Sequence, residues 1–131
     1  RLFQPLVEIP GVTVYSLQVG RDGESEKVFG DKVVDVGPLL TDFSDTAAVI
    51  NKLDLVVTAD TAVAHISGAI GCQTRTLIPF IPDWRWLLGR NDTPWYPTMK
   101  LFRQKTPGDW EGVINRVLKA LPSLDKNSLR I

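Results

Sequence analysis

The sequence predicts an α/β fold, with a parallel sheet that carries helices on both faces. One observation is that helical patterns alternate with apolar, β-branched runs of strand length, which lie at residues 12–17, 33–36, 55–58, 75–78 and 99–103. Another is the segment 53–79, which reads as strand, short turn, helix and strand. This order is typical of the βαβ unit of a parallel sheet, whose ligands bind at the carboxyl edge of the strands.

The amino-terminal part of the chain begins with the end of a helix, residues 5–10, which Pro10-Gly11 stops. Two strands follow, and they are separated by a polar segment, residues 21–32, that contains several Gly and Asp breakers. We expect that segment to be a surface loop. Because the chain opens at Arg1 without an initiator methionine, we expect it to be part of a longer protein.

Two helices are predicted in the middle of the chain. The first covers residues 43–53 at helical apolar spacing, with Ser44 or Asp45 as its cap. The second begins at Asp60, whose carboxylate can accept from exposed backbone N–H groups, and ends before Gly71. Its small residues allow this helix to lie close to its neighbours.

An aromatic, proline-rich segment, residues 79–97, follows the strand at 75–78 and is too irregular for one regular element. We expect at most a helical turn at 83–88, capped by Asp83. Its large aromatic side chains must cover either the adjoining core or a partner and ligand, and they are Trp84, Trp86, Trp95 and Tyr96.

The carboxyl-terminal part contains a strand at 99–103 and an amphipathic helix that Asp109 caps and Pro122 closes. We therefore expect one Rossmann-like domain over residues 1–122 and a loosely held polar tail over residues 123–131.

Composition excludes several classes of function. Fifteen basic and fifteen acidic residues give no net charge, which argues against nucleic acid or an anionic membrane as partners. A single cysteine, Cys72, and a single histidine make neither a disulfide framework nor a zinc site. No apolar run approaches the ~20 residues that span a bilayer. We expect a cytoplasmic protein without metal or membrane span.

The candidate site is the start of the helix at Asp60. A helix N-terminus offers free N–H donors and a partial positive charge, so it favours phosphate. Thr61 and His65 share one edge of this helix, and the imidazole can lean back toward its start. The alternatives are that Asp60 is only an N-cap and that His65 is a structural histidine.

Two motifs resemble a known family. The run DTAVAHISGAIG, residues 60–71, resembles the signature of bacterial glycosyltransferase family 9, the heptosyltransferase-like enzymes. The stretch PDWRWLL followed by DTPWYPTMKLFRQ is similar to the glycosyltransferase-like module of bacterial tetratricopeptide-repeat proteins. The resemblance covers about residues 4–121.

The resemblance implies the C-terminal half of a GT-B fold, the domain that binds the nucleotide sugar. Asp60 would contact the donor sugar, and His65 would hold the diphosphate together with the backbone N–H groups of Thr61 and Ala62. Ala62 stands where the family usually has glycine. The secondary candidates are Gln18, Asp83 and Trp84.

The implied activity is inverting, metal-independent sugar transfer, hexosyl or heptosyl, with a nucleotide-diphosphate sugar as substrate and no further cofactor. The catalytic base would lie on the facing N-terminal domain, so these residues alone would be inactive. The implied partners are that domain and tetratricopeptide repeats of the same chain. The alternatives are a non-catalytic GT-B-like interaction module, and a flavodoxin-like sensor, which lacks its phosphate loop here.

Overall fold

The computed structural model of the protein describes residues 2–20, 24–121 and 129–131, without the side chain of Glu26. Its strands are β1 (Val12–Ser16), β2 (Val33–Asp35), β3 (Val56–Ala59), β4 (Thr74–Ile78), β5 (Met99–Arg103) and β6 (Leu129–Arg130). Its α-helices are α1 (Gln4–Val7), α2 (Glu24–Phe29), α3 (Phe43–Ile50), α4 (Ala62–Ala69) and α5 (Trp110–Lys119).

All strand pairs are parallel and form two three-stranded sheets, ordered β2-β1-β6 and β3-β4-β5. The backbone carbonyl of Arg130 accepts from the N–H groups of Asp54 and Leu55, at 2.9 and 3.3 Å. β6 therefore bridges the two sheets, between β1 and β3. Because the connections from β1 and from β3 run in opposite directions, this position is the topological switch point of the fold.

Two core clusters lie on opposite faces of the β3-β4-β5 sheet, because neighbouring residues of β4 point to opposite sides. One cluster lies against α4 and consists of Ala64, Ile78, Trp86, Met99 and Leu101. The other lies against α5, with Leu2 and Phe3 packed on it, and consists of Leu77, Val113, Ile114 and Val117. The predicted fold class, a Rossmann-like α/β fold with helices on both faces, is confirmed.

Short-range hydrogen bonds to aspartate side chains cap two of the helices. Asp109 caps α5 as predicted, and its carboxylate accepts from the N–H of Gly112 at 2.9 Å. The predicted cap of α3 was two or three residues too late, since Asp42 accepts from the N–H of Asp45. The Asp45 carboxylate instead accepts from Thr41, whose side-chain hydrogen bond is the largest cause that lowers the pKa of Asp45.

Two segments differ from the sequence expectation. The predicted surface loop at 21–32 is wrong over α2, which is a helix docked on β1 by a hydrogen bond from Ser25 Oγ to Ser16 Oγ at 2.8 Å. The first residues of the predicted loop, 21–23, lie outside the described residues. At the other end, residues 122–128 also lie outside them, and β6 forms where a polar tail was expected.

β6 is held to the segment before β3 by an ion pair between Asp54 and Arg130. The Asp54 carboxylate accepts from the backbone N–H and the guanidinium of Arg130, at 2.9 to 3.2 Å. The hydrogen bond from the Arg130 side chain is the largest cause that lowers the pKa of Asp54 below its ordinary value, and the backbone hydrogen bond lowers it further. The ionised carboxylate therefore stabilises the folded state above about pH 4, and the stabilisation is lost as the pH falls through its folded pKa.

We predict that Asp54→Asn lowers the melting temperature at pH 7 by about 2 °C, since a half-exposed pair is screened by solvent. The difference from the native chain should narrow as the pH falls below about 4. Thermal unfolding followed by circular dichroism measures both effects.

The matched control is Asp92→Asn, which removes an ion pair with Arg90 two residues away. That pair joins no distant segments, so its loss should leave the melting temperature unchanged. Equal effects of the two variants would show that the Asp54 pair does not hold β6.

Candidate functional site

The candidate site lies at the carboxyl end of β3, where α4 begins. Thr61 is the N-cap of α4, in an extended conformation, and its side chain makes no capping hydrogen bond. The predicted capping role of Asp60 is therefore wrong, and the Thr61 hydroxyl lies 3.2 Å from that of Thr58 instead. In the part of the chain that the structure describes, no side chain accepts from the N–H groups of this first turn, of which that of Ala64 donates to the backbone carbonyl of Thr61.

His65 lies one turn into α4 and is held by two aromatic rings. Its Nδ1 is 3.0 Å from the hydroxyl of Tyr96, and its ring stacks on that of Trp86, with centroids 5.3 Å apart. Its Nε2 faces the other way and lies 3.9 Å from Asp60 Oδ1. The His65 side chain is 38% exposed. Nδ1 is therefore fixed by the Tyr96 hydroxyl, and Nε2 faces the start of α4.

Tyr96 reaches His65 because Gly68 leaves room for its ring. A Cβ added at Gly68 would meet the Tyr96 ring, with Cδ1 only 2.7 Å away. The expectation that small residues let this helix lie close to its neighbours is confirmed at this position. Gly68, Tyr96 and His65 form one packed unit on the surface of α4.

The segment after β4 forms a rim beside the start of α4. The Asp83 carboxylate accepts from the backbone N–H and the guanidinium of Arg85, at 3.0 and 2.9 Å. The backbone hydrogen bond is the largest cause that lowers the pKa of Asp83, and the charge of nearby His65 also contributes. The Arg85 guanidinium lies over the ring of Trp84, which is 70% exposed. Asp83 caps the short Trp84–Trp86 turn as predicted.

Two of the four aromatic side chains of this segment take the first of the two roles that the sequence left open, and the other two are exposed. Trp86 is fully buried and Tyr96 packs beside it, so both cover the core. Trp84 and Trp95 are exposed, although Trp95 Nε1 donates to the carbonyl of Arg85 at 2.9 Å.

A cleft of about 430 Å³ lies between β1 and β3, beyond Ile131. Most of its walls are apolar side chains from these strands, α1 and α2. The polar side chains that line it are Ser16, Gln18, Ser25, Thr58 and Thr61. We call this space the switch-point cleft. No local pattern in the sequence indicates this cleft, because it is formed by elements far apart in the chain.

The structure brings several of the predicted site residues together. Asp60 and His65 face each other, Thr61 and Ala62 form the start of α4, and Asp83 lies within electrostatic reach of His65. Gln18 lines the switch-point cleft, and Thr61 lines the same cleft.

Two further observations concern the part of the chain that the structure describes. There, no three His, Cys, Asp or Glu side chains are grouped as they would be to hold a metal ion. None of the described helices is long and apolar enough to cross a membrane.

Comparison with known proteins gives a distant relative. Protein FlbA of Caulobacter vibrioides is 32% identical to the chain over 127 residues. The match covers 92% of this chain and 21% of FlbA, so the chain spans about a fifth of the length of that relative. No protein-family model matches the chain. No solved structure matches it significantly.

We predict that Gly68→Ala lowers the free energy of unfolding by about 1–3 kcal/mol, because the new methyl group would displace the Tyr96 ring. At an unobstructed helix position the same change would stabilise by about 0.5–1 kcal/mol. Urea unfolding measures the difference, and in a Tyr96→Ala background the loss should largely disappear. An equal loss in both backgrounds would contradict the contact.

Leu87 ends the Trp84–Trp86 turn in a conformation that favours glycine, with φ of 55° and ψ of −170°. Such a backbone costs about 1–3 kcal/mol for a residue with a side chain. The next residue, Leu88, is also exposed and has no positive φ.

We therefore predict that Leu87→Gly is more stable than Leu88→Gly by at least about 1 kcal/mol in urea unfolding. The two variants gain the same freedom in the unfolded state, and Leu87→Gly loses more contact, because Leu87 is 40% exposed and Leu88 is 80% exposed. Equal stability, or a more stable Leu88→Gly, would show that strain at Leu87 does not outweigh the contacts of its side chain.

Proposed function

We propose that the chain binds the diphosphate of a nucleotide sugar at the start of α4 and is the donor-binding domain of an inverting, metal-independent glycosyltransferase. The observation that carries the proposal is an uncapped helix N-terminus next to a histidine whose ring is fixed by Tyr96 and Trp86. The resemblance to glycosyltransferase family 9 supports the same residues.

The proposed binding site at the start of α4 favours a diphosphate for electrostatic reasons. The N–H groups of the first turn and the partial positive charge of the helix both favour an anion. Protonated His65 adds a donor at Nε2, while its Nδ1 remains on Tyr96. Asp60 carries negative charge, so its role would be to accept hydrogen bonds from hydroxyl groups of the donor sugar instead of facing a phosphate.

In the proposed reaction, an acceptor hydroxyl attacks the anomeric carbon as the bond from that carbon to the diphosphate oxygen breaks. The leaving diphosphate gains negative charge, which preorganised donors at α4 and His65 would stabilise. The acceptor proton would go to a base on a facing N-terminal domain. The residues of this chain alone would therefore bind the donor without turning it over.

The rest of the parent protein is part of the proposal, because the chain spans about a fifth of the relative that it matches. We propose a GT-B enzyme of the cytoplasm that transfers a hexose or heptose and carries tetratricopeptide repeats. A second candidate is a GT-B-like module without catalysis that binds a protein partner. The exposed side chains of Ile81 and Trp84 favour that candidate.

We predict that His65→Ala weakens UDP binding about tenfold in titration calorimetry, because it removes one donor to the diphosphate. Asp60→Asn should weaken UDP-sugars more than free UDP. Tyr96→Phe is the matched control, since it keeps the ring and removes only the hydroxyl that fixes Nδ1, and its effect should be smaller.

UDP, ADP and GDP should all be titrated. A folded chain that takes up none of them, with or without a sugar, would contradict the donor-binding role. A protein partner that binds native chain and His65→Ala equally, when no nucleotide binds either, would favour the interaction module.

A further inference from the structure

The switch-point cleft passes between two strands of the fold instead of lying above their ends. Its lining begins near Thr61, at the carboxyl edge, and extends down to Leu53 and Val56, at the start of β3. Both faces contribute, since Phe3 packs on the face of α5 and Val63 belongs to α4. Ligands of open α/β sheets bind outside the carboxyl ends of the strands. A ligand at that edge would therefore leave the deeper part of the cleft unfilled.

Strand β6 already lies in the amino-terminal part of the same gap. The N–H of Ile131 donates to the carbonyl of Thr13 at 2.9 Å, and its carbonyl accepts from the N–H of Tyr15 at 2.7 Å. On the other side, the Arg130 carbonyl accepts from the N–H of Leu55. Neighbouring strands lie about 4.8 Å apart, so β1 and β3 stand about 10 Å apart here. The gap has the width of one strand.

Beyond β6, backbone groups of β1 and β3 face each other across the cleft. Alternate residues of a strand direct their N–H and C=O groups to the same side. Thr13 and Tyr15 bond to β6, so Leu17 faces the cleft, and within the described residues it makes no backbone hydrogen bond. Leu55 also bonds to β6, so Val57 faces the cleft from β3. Two strand edges, each a template for pairing, thus border the cleft.

The side chains around the cleft also favour a strand. Helices α1, α2 and α4 line it with apolar side chains such as Leu6, Phe29 and Val63. A strand that is covered on both faces carries a nearly continuous apolar, β-branched run. A small molecule could pair with one of the two backbone edges, whereas an extended peptide pairs with both along its length.

We infer that the switch-point cleft binds an extended segment of a protein partner, apolar and β-branched, which enters as a strand parallel to β1 and β3. The segment lies in line with β6, and its backbone pairs with Leu17 on one side and Val57 on the other. Its side chains lie between the helices of the two faces. The two sheets thereby become one beyond Ile131, and the diphosphate site at α4 is not needed for this binding.

The test titrates the peptide Val-Ile-Val-Thr-Lys-Lys amide into the isotopically labelled native chain, up to about 1 mM, the weak end of the affinity range. The lysines keep the peptide in solution and leave the cleft at its carboxyl edge. We expect saturable shifts of the Leu17 and Val57 amides and hydrogen exchange at both that is slower by at least about tenfold. The absence of saturable shifts at both amides would overturn the inference.

The matched control peptide is Val-Ile-Pro-Thr-Lys-Lys amide. Its proline lacks the N–H that has to donate to one wall of the cleft, so it should leave both amides unchanged. Equal effects of the two peptides would show that the occupant does not pair as a strand.

Two variants fill the cleft, Ala59→Leu at the mouth and Val14→Phe deeper inside. Each variant that keeps the native circular dichroism spectrum should bind the peptide at least about tenfold more weakly. The control is Ala69→Leu, which adds the same volume as Ala59→Leu at an exposed position at the far end of α4, and it should bind the peptide like the native chain. A folded, filled variant with native affinity would place the peptide outside the cleft.

UDP distinguishes a small-molecule occupant from a strand. If UDP slows exchange at both Leu17 and Val57 and the peptide does not, the cleft binds a small molecule and the inference fails. A chain that binds the peptide and no nucleotide would leave the inference standing and contradict the donor-binding role.

Discussion

The orientation of His65 depends on the contact between Gly68 and the ring of Tyr96. Since no Cβ stands at Gly68, the tyrosine lies against α4 and its hydroxyl reaches Nδ1 of His65. Trp86 stacks on the face of the imidazole and is itself buried in the core. The rim before β5 and the helix after β3 are thereby fixed to each other, and Nε2 is left facing the start of the helix.

A second constraint comes from β6, which pairs with β1 and also accepts from the segment before β3. This short strand holds the two sheets together at their amino-terminal side. Beyond Ile131 the walls of β1 and β3 form the cleft that reaches Thr61. The arrangement that completes the sheet thus leaves a space at its switch point, beside the start of α4. The N-caps of α3 and α5 make side-chain capping hydrogen bonds, and the N-cap of α4 makes none.

Local patterns predicted the parallel sheet, its central βαβ unit and the caps at Asp83 and Asp109, because these depend on neighbouring residues. The helix α2 was missed because the composition of its segment is that of a loop. Its hydrogen bond to β1 and the side chains with which it lines the cleft involve residues far away in the sequence. The convergence of Asp60 and His65 followed from helical geometry. The bond between His65 and Tyr96, 31 positions apart, left no local signal in the sequence.

We propose above all that the first turn of α4, with the imidazole of His65 beside it, binds a diphosphate. The most direct measurement is the change of backbone amide and histidine ring resonances while UDP is titrated into the isotopically labelled chain. We expect the largest shifts on Thr61, Ala62, Val63 and the His65 ring. Saturable shifts confined to other parts of the chain would contradict it.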